Sequence, residues 1–224
     1  MKPMNQSTFI DFPKCPEGQF VARLVGIFDM GTQRQEFQGA VKMMPKVYLQ
    51  FEVYAEDEKG DAVTDDEGKP FLVGIEFTAS MSAKSNLLPF INKWRGKPLE
   101  DADFPFDFSR MLGQYGLMSV AHKEGKEGKV FAIINGIVPV PRQMAKDSEG
   151  KSLLPPGLVT PEFFDLDDQD WAHAQDIFDR RLWEKMKGRI QASPEYQARV
   201  GGGAKPASSG HLPASEYSDD DIPF

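Results

Sequence analysis

Val47-Tyr48-Leu49-Gln50-Phe51-Glu52-Val53-Tyr54 sets four apolar side chains against four polar or amphipathic ones in strict alternation. That is the two-residue period of a strand buried on one face. Phe71, Val73, Ile75 and Phe77 repeat the pattern downstream. Between the two lies an acidic stretch containing Gly60 and the turn signal Asp66-Glu67-Gly68. Together they predict a long hairpin. Upstream, residues 19–28 are largely apolar and compatible with a twisted strand.

Next, residues 82–96 carry Leu87, Leu88, Phe90, Ile91 and Trp94 at helical spacing. Pro89 is tolerated only in a first turn, so the helix starts near Leu88, and Gly96 followed by Pro98 stops it. Two further strands are expected at residues 116–122 and 130–140, joined by the glycine- and lysine-rich run 122–129. The expected order is three strands, a helix, then two strands. Trp94 reads as a core residue plugging the end of the resulting barrel.

The rest divides by composition. Residues 142–160 are rich in Pro, Gly and Ser and read as a linker. Residues 161–192 read as helical, with Trp171, Ile177, Phe178, Leu182 and Met186 on one apolar stripe. That stripe fits packing on the core or packing between two copies, so homo-oligomers stay open. Residues 193–215 include Gly201-Gly202-Gly203 and read as a disordered linker.

The chain has 224 residues, 40% of them hydrophobic, with a formal net charge of −8. It holds one cysteine, Cys15, which excludes an intramolecular disulfide framework and a cysteine-built zinc site. No apolar run approaches a membrane span, and the N-terminus lacks a signal peptide's apolar stretch, so the expectation is a soluble, cytoplasmic protein. The acidity is uneven: residues 1–159 carry a net −2 and residues 160–224 a net −6. Without residues 56–69 the first part is net +3, which leaves room for a local basic surface.

Several apparent chemical motifs fail. Residues 145–152 resemble a phosphate-binding loop, but Ala145 stands at the first glycine and Leu153-Leu154-Pro155-Pro156-Gly157 cannot open a helix. Asp165, Asp167, Asp168 and Asp170 lack the calcium-loop pattern; Asp168 or Asp170 fits a helix cap better. His122, His173 and His211 share no ligand spacing. No catalytic set, metal site or cofactor is expected, and the chain is not read as an enzyme.

The C-terminal tip is the sharpest feature. Glu216, Asp219, Asp220, Asp221 and the terminal carboxylate precede or accompany an apolar Ile222-Pro223-Phe224. A partner would meet it with an apolar pocket for Phe224, a cation for the carboxylate and a basic rim. Asp219-Asp220-Asp221-Ile222-Pro223-Phe224 resembles the tip of bacterial single-stranded DNA-binding proteins. That resemblance implies docking onto replication, recombination and repair proteins. Residues 15–141 resemble a family of phage-encoded proteins with an OB-like fold. The residues behind this are Lys84-Ser85-Asn86-Leu87, Trp94-Arg95-Gly96-Lys97-Pro98, Phe106-Asp107-Phe108-Ser109, Leu112-Gly113 and the run from Ile133 to Pro141.

The expected fold is therefore mainly β: a five-stranded OB-fold-like barrel spanning residues 1–141, with a helix between strands 3 and 4, a helical extension and an acidic tip at 216–224. Such barrels bind oligonucleotides on the face of strands 2–3 and with the loops joining strands 1–2 and 4–5. The candidate DNA-binding residues at those places are Arg34, Phe37, Lys42, Lys46, Tyr48, Tyr54, Lys123, Lys126 and Lys129. The function implied is sequence-independent binding and protection of single-stranded DNA in phage replication and recombination. The alternative is an adaptor or inhibitor that uses the tip on host enzymes without binding DNA.

Overall fold

The structure, a computed structural model, describes residues 14–37, 40–82, 84–100, 103–125 and 128–201. Lys126 and the tip residues 219–224 lie outside the described residues, as does the side chain of Phe37.

Seven strands and five α-helices are present among the described residues. Strands β1 (Gly18–Phe37) and β2 (Ala40–Glu56) form a long antiparallel hairpin. β2 also pairs with β4 (Phe71–Thr78) and with the two-residue β3 (Ala62–Val63). β1 pairs on its other side with β5 (Tyr115–Glu124), and β5 with β6 (Val130–Val138). The five long strands thus run in the order β4-β2-β1-β5-β6. Strands β4 and β6 come near one another, but no ladder joins them among the described residues, so the sheet is open rather than closed. The expected mainly β architecture holds; beyond the five strands expected, β3 and β7 (Glu162–Phe164) are added.

The alternation read at residues 47–54 is realised: Val47, Leu49, Phe51 and Val53 enter the main core, as do Phe71, Val73 and Phe77 of β4. Helix α1 (Leu87–Arg95) lies where expected, between β4 and β5. It buries Leu87, Ile91 and Trp94 and ends on Gly96 in the left-handed conformation. Trp94 packs edge-on against Phe51 at 5.4 Å and donates from Nε1 to the Tyr115 carbonyl at 3.0 Å. A buried indole needs such an acceptor to offset its lost hydration.

β1 carries two register shifts, at Leu24/Gly26 and Asp29/Gly31. A bulge re-aims the side chains beyond it. Leu24 and Ile27 consequently face the main core, while Phe28 and Met30 enter a second one. That second core is completed by the C-terminal region: β7, parallel to β1, then α3 (Trp171–Arg181), α4 (Glu184–Gln191) and α5 (Pro194–Val200). Phe164, Ile177, Phe178, Leu182, Met186 and Ile190 are all buried against Phe28 and Met30. The apolar stripe of residues 161–192 is therefore intramolecular packing.

Two boundaries differ from expectation. Residues 142–160 hold a short helix, α2 (Arg142–Ala145), and then lie against the sheet. There Tyr115 Oη donates to the Pro155 carbonyl at 2.7 Å and Tyr54 Oη to the Pro156 carbonyl at 3.1 Å. Proline and glycine made this segment look like a free linker; its backbone groups are instead satisfied by the sheet. Helix α5 occupies residues expected to be linker, because Ser193 caps it by accepting from the Tyr196 N–H and Pro194 is set for a first turn. The phosphate-loop look-alike is a tight turn in which Asp147 accepts from the Glu149 and Lys151 N–H groups. No helix among the described residues is long and apolar enough to cross a membrane.

Candidate nucleic-acid interface

The outward face of β2 and β4 was expected to receive DNA, and here the chain itself covers it. Glu52 is 0% exposed. It pairs with Arg23 at 2.9 Å and accepts from the Leu158 and Val159 N–H groups at 2.8 and 3.3 Å. Arg181 reaches Gln50 at 3.2 Å, and Arg189 holds Glu76 at 2.5 and 3.1 Å. A buried carboxylate with a guanidinium and two backbone donors is a fully satisfied group, and none of that capacity is left for a ligand.

This cover decides the fate of three candidates. Tyr48 is half-buried, stacked at 6.5 Å on Phe28 and meeting Trp183 edge-on at 5.3 Å. Burial and the nearby Glu76 carboxylate push its phenol up to about 12, so it stays neutral. Tyr54 is tied to the Pro156 carbonyl, and its phenol too is raised, first by burial and then by Glu52. Lys46 is only 4% exposed, and its Nζ donates to Thr78 Oγ1 at 3.0 Å. It is the register partner of Thr78, so the two side chains lie side by side on one face of the sheet. None of the three presents an open surface for a strand of DNA.

The remaining described candidates sit on two hairpins. On the β1–β2 arm, Arg34 is exposed and pairs with Glu36 at 3.0 Å, and Lys42 is exposed two registers from the arm's end. Val41 and Met43, both exposed, share that arm. On the β5–β6 hairpin, Lys123 and Lys129 are exposed on either side of a turn closed by the Gly125 N–H donating to the Lys129 carbonyl at 2.7 Å.

The β5–β6 hairpin also supplies a residue that sequence reasoning missed. Phe131 is the direct cross-strand partner of Lys123 and is 52% exposed. Its ring lies over the turn: a Cβ at Gly125 would meet Phe131 Cε2 at 2.6 Å, so a larger residue there would push the ring aside. The run Val130-Phe131-Ala132-Ile133 is apolar throughout, and without alternation no outward face could be read from it.

Asp170 and His122 are held by structural contacts, and His211 lies outside the described residues. Asp170 caps α3 by accepting from the His173 N–H at 3.2 Å. His122 has Nε2 at 2.8 Å from the Cys15 carbonyl, and its N–H donates to Glu17. Burial raises the Cys15 thiol to about 12, leaving no reactive thiolate near neutral pH. Among the described residues, no group of three or more His, Cys, Asp or Glu is placed to hold a metal ion.

No family model and no curated protein matches this chain. The β5–β6 hairpin sets one exposed aromatic ring between two lysines.

Proposed function

We propose that this chain binds single-stranded DNA without sequence preference, as an OB-type module serving phage replication or recombination in the host cytoplasm. The strand order β4-β2-β1-β5-β6 with α1 between β4 and β5 supports an OB-type connectivity, a fold that is itself only partly closed. The observation that carries the reading is the exposed Lys123–Phe131 cross-strand pair, with Lys129 beside it. An exposed ring next to cations is what a flexible polynucleotide needs: bases stack on the ring and phosphates meet the cations. Arg34 and Lys42 would extend that contact along the β1–β2 arm.

The tip, residues 216–224, recruits replication, recombination and repair proteins and competes with DNA for the basic hairpins. Bound DNA would release it. Titrating full-length protein with labelled oligo-dT at low salt tests the reading; affinity falling with salt is expected. Removing the last nine residues should tighten binding, and unchanged affinity would end the competition idea. Absence of any oligo-dT binding would overturn the reading. The adaptor alternative would then stand, favoured by the covering of the outer face around Glu52.

A further inference from the structure

Residues 180–189 read Arg-Arg-Leu-Trp-Glu-Lys-Met-Lys-Gly-Arg, five cations against one acid, inside a C-terminal region that is otherwise strongly acidic. The run forms the corner between α3 and α4. Leu182, Met186 and Ile190 bury themselves in the second core, which fixes the corner on the sheet. Trp183, in extended backbone at the start of α4, is left outside at 44% exposure. Burial of an indole is strongly favoured, so a tryptophan held at the surface on a rigid support asks for an occupant.

The support is specific. The Trp183 ring stands edge-on upon Tyr48 at 5.3 Å and 73°. Tyr48 is itself braced by Phe28 and laid across Gly74, where any Cβ would overlap the phenol. Tyr48 and Glu76 are register partners across β2 and β4. Trp183 stands on the first and Arg189 is paired to the second, so both side chains come down on the same pair of register partners. The Arg189 side chain keeps 39% exposure, and Lys185 is exposed one turn away. Arg180, Arg181 and Lys187 are engaged with carboxylates or carbonyls and serve as anchors.

We propose that the α3–α4 corner is a second contact for single-stranded nucleic acid, with Trp183 stacking a base and Arg189 and Lys185 meeting the adjoining phosphates. This rests on the single-strand-binding reading above and extends it to the C-terminal region. The corner overlies β2 and β4, the strands on whose face OB barrels seat oligonucleotides. Here the chain's own segments bury Gln50 and Glu52 on that face, and the stacking ring is supplied one layer further out. The planar Arg189 fork can hold Glu76 by one edge and offer its remaining donors to phosphate.

The test uses full-length protein, oligo-dT and two readouts. Trp94 is in the core and Trp171 is half-buried, so a bound base should quench chiefly Trp183. Wild-type emission should fall on saturation with oligo-dT, and that loss should vanish in Trp183→Phe. Affinity by anisotropy should drop roughly tenfold in Trp183→Ala and much less in Trp183→Phe, as expected for loss of one stacked base. Phe131→Ala should weaken binding yet keep the quenching at saturation. Wild-type binding with unchanged emission and an unaffected Trp183→Ala would overturn the corner while leaving the hairpin reading intact. No wild-type binding at low salt would remove both. Should Trp183→Ala misfold, the wild-type and Trp183→Phe emission comparison still decides.

Discussion

Asp29 sits at the second register shift of β1, where its carboxylate accepts from the Gly31 N–H at 2.8 Å. Burial raises it to about 7, and the neighbouring Asp165 and Glu195 carboxylates add to the rise against the Gly31 and Leu166 N–H groups. An unfolded aspartate titrates near ~3.9. From about pH 4 to 7 the folded chain therefore holds a proton that the unfolded chain has lost. Stability from this group is full below pH 4 and declines as pH rises towards 7. Asp29→Asn keeps the acceptor and removes the charge. Its unfolding free energy from urea titration should match wild type near pH 4 and exceed it at pH 8, with a higher midpoint, by a few kcal/mol at most. Equal midpoints at pH 8 would refute the assignment.

Two hairpins with similar sequence signals do different things once folded. Lys46 and Lys123 were both expected in the loops that join strands, yet Lys46 is buried against Thr78 and Lys123 is exposed. Substituting each separates the roles. Lys123→Ala should lower the slope of log affinity against log salt by about 1, with melting unchanged. Lys46→Met should leave that slope unchanged and shift the melting temperature, because it alters a buried polar contact. Phe131→Ala should weaken oligo-dT binding roughly tenfold, irrespective of base sequence. A salt slope altered by Lys46→Met and not by Lys123→Ala would reverse the assignment.

The two cores make the C-terminal region part of the fold rather than an appendage. Phe28 and Met30 on β1 are fully buried only because β7, α3 and α4 cover them. Each such side chain contributes about 1.5–3 kcal/mol by leaving water. A chain ending at Pro141 would expose both, along with the outward face around Glu52. It should lose its cooperative unfolding transition and bind a hydrophobic dye at neutral pH. A sharp transition in that truncated chain would show that the sheet stands alone.

Alternation at residues 47–54 and at Phe71, Val73, Ile75 and Phe77 was enough to assign the inward faces of β2 and β4, since a two-residue period has one solution when one face is buried. The α1 boundaries were equally legible, because Pro89 and Gly96 act locally through backbone geometry. The segment 19–28 told less: a largely apolar run marks burial on both faces, but not which partner covers the second. That partner, the region from Pro155 to Val200, is joined to β1, β2 and β4 across more than a hundred residues by Glu52, Gln50 and Glu76. Local pattern could not indicate that Tyr48 and Tyr54 would be roofed over, or that Phe131 and Trp183 would be among the rings left at the surface. Local periodicity fixes which side of a strand is apolar; only the packing of distant segments decides which polar side remains in water.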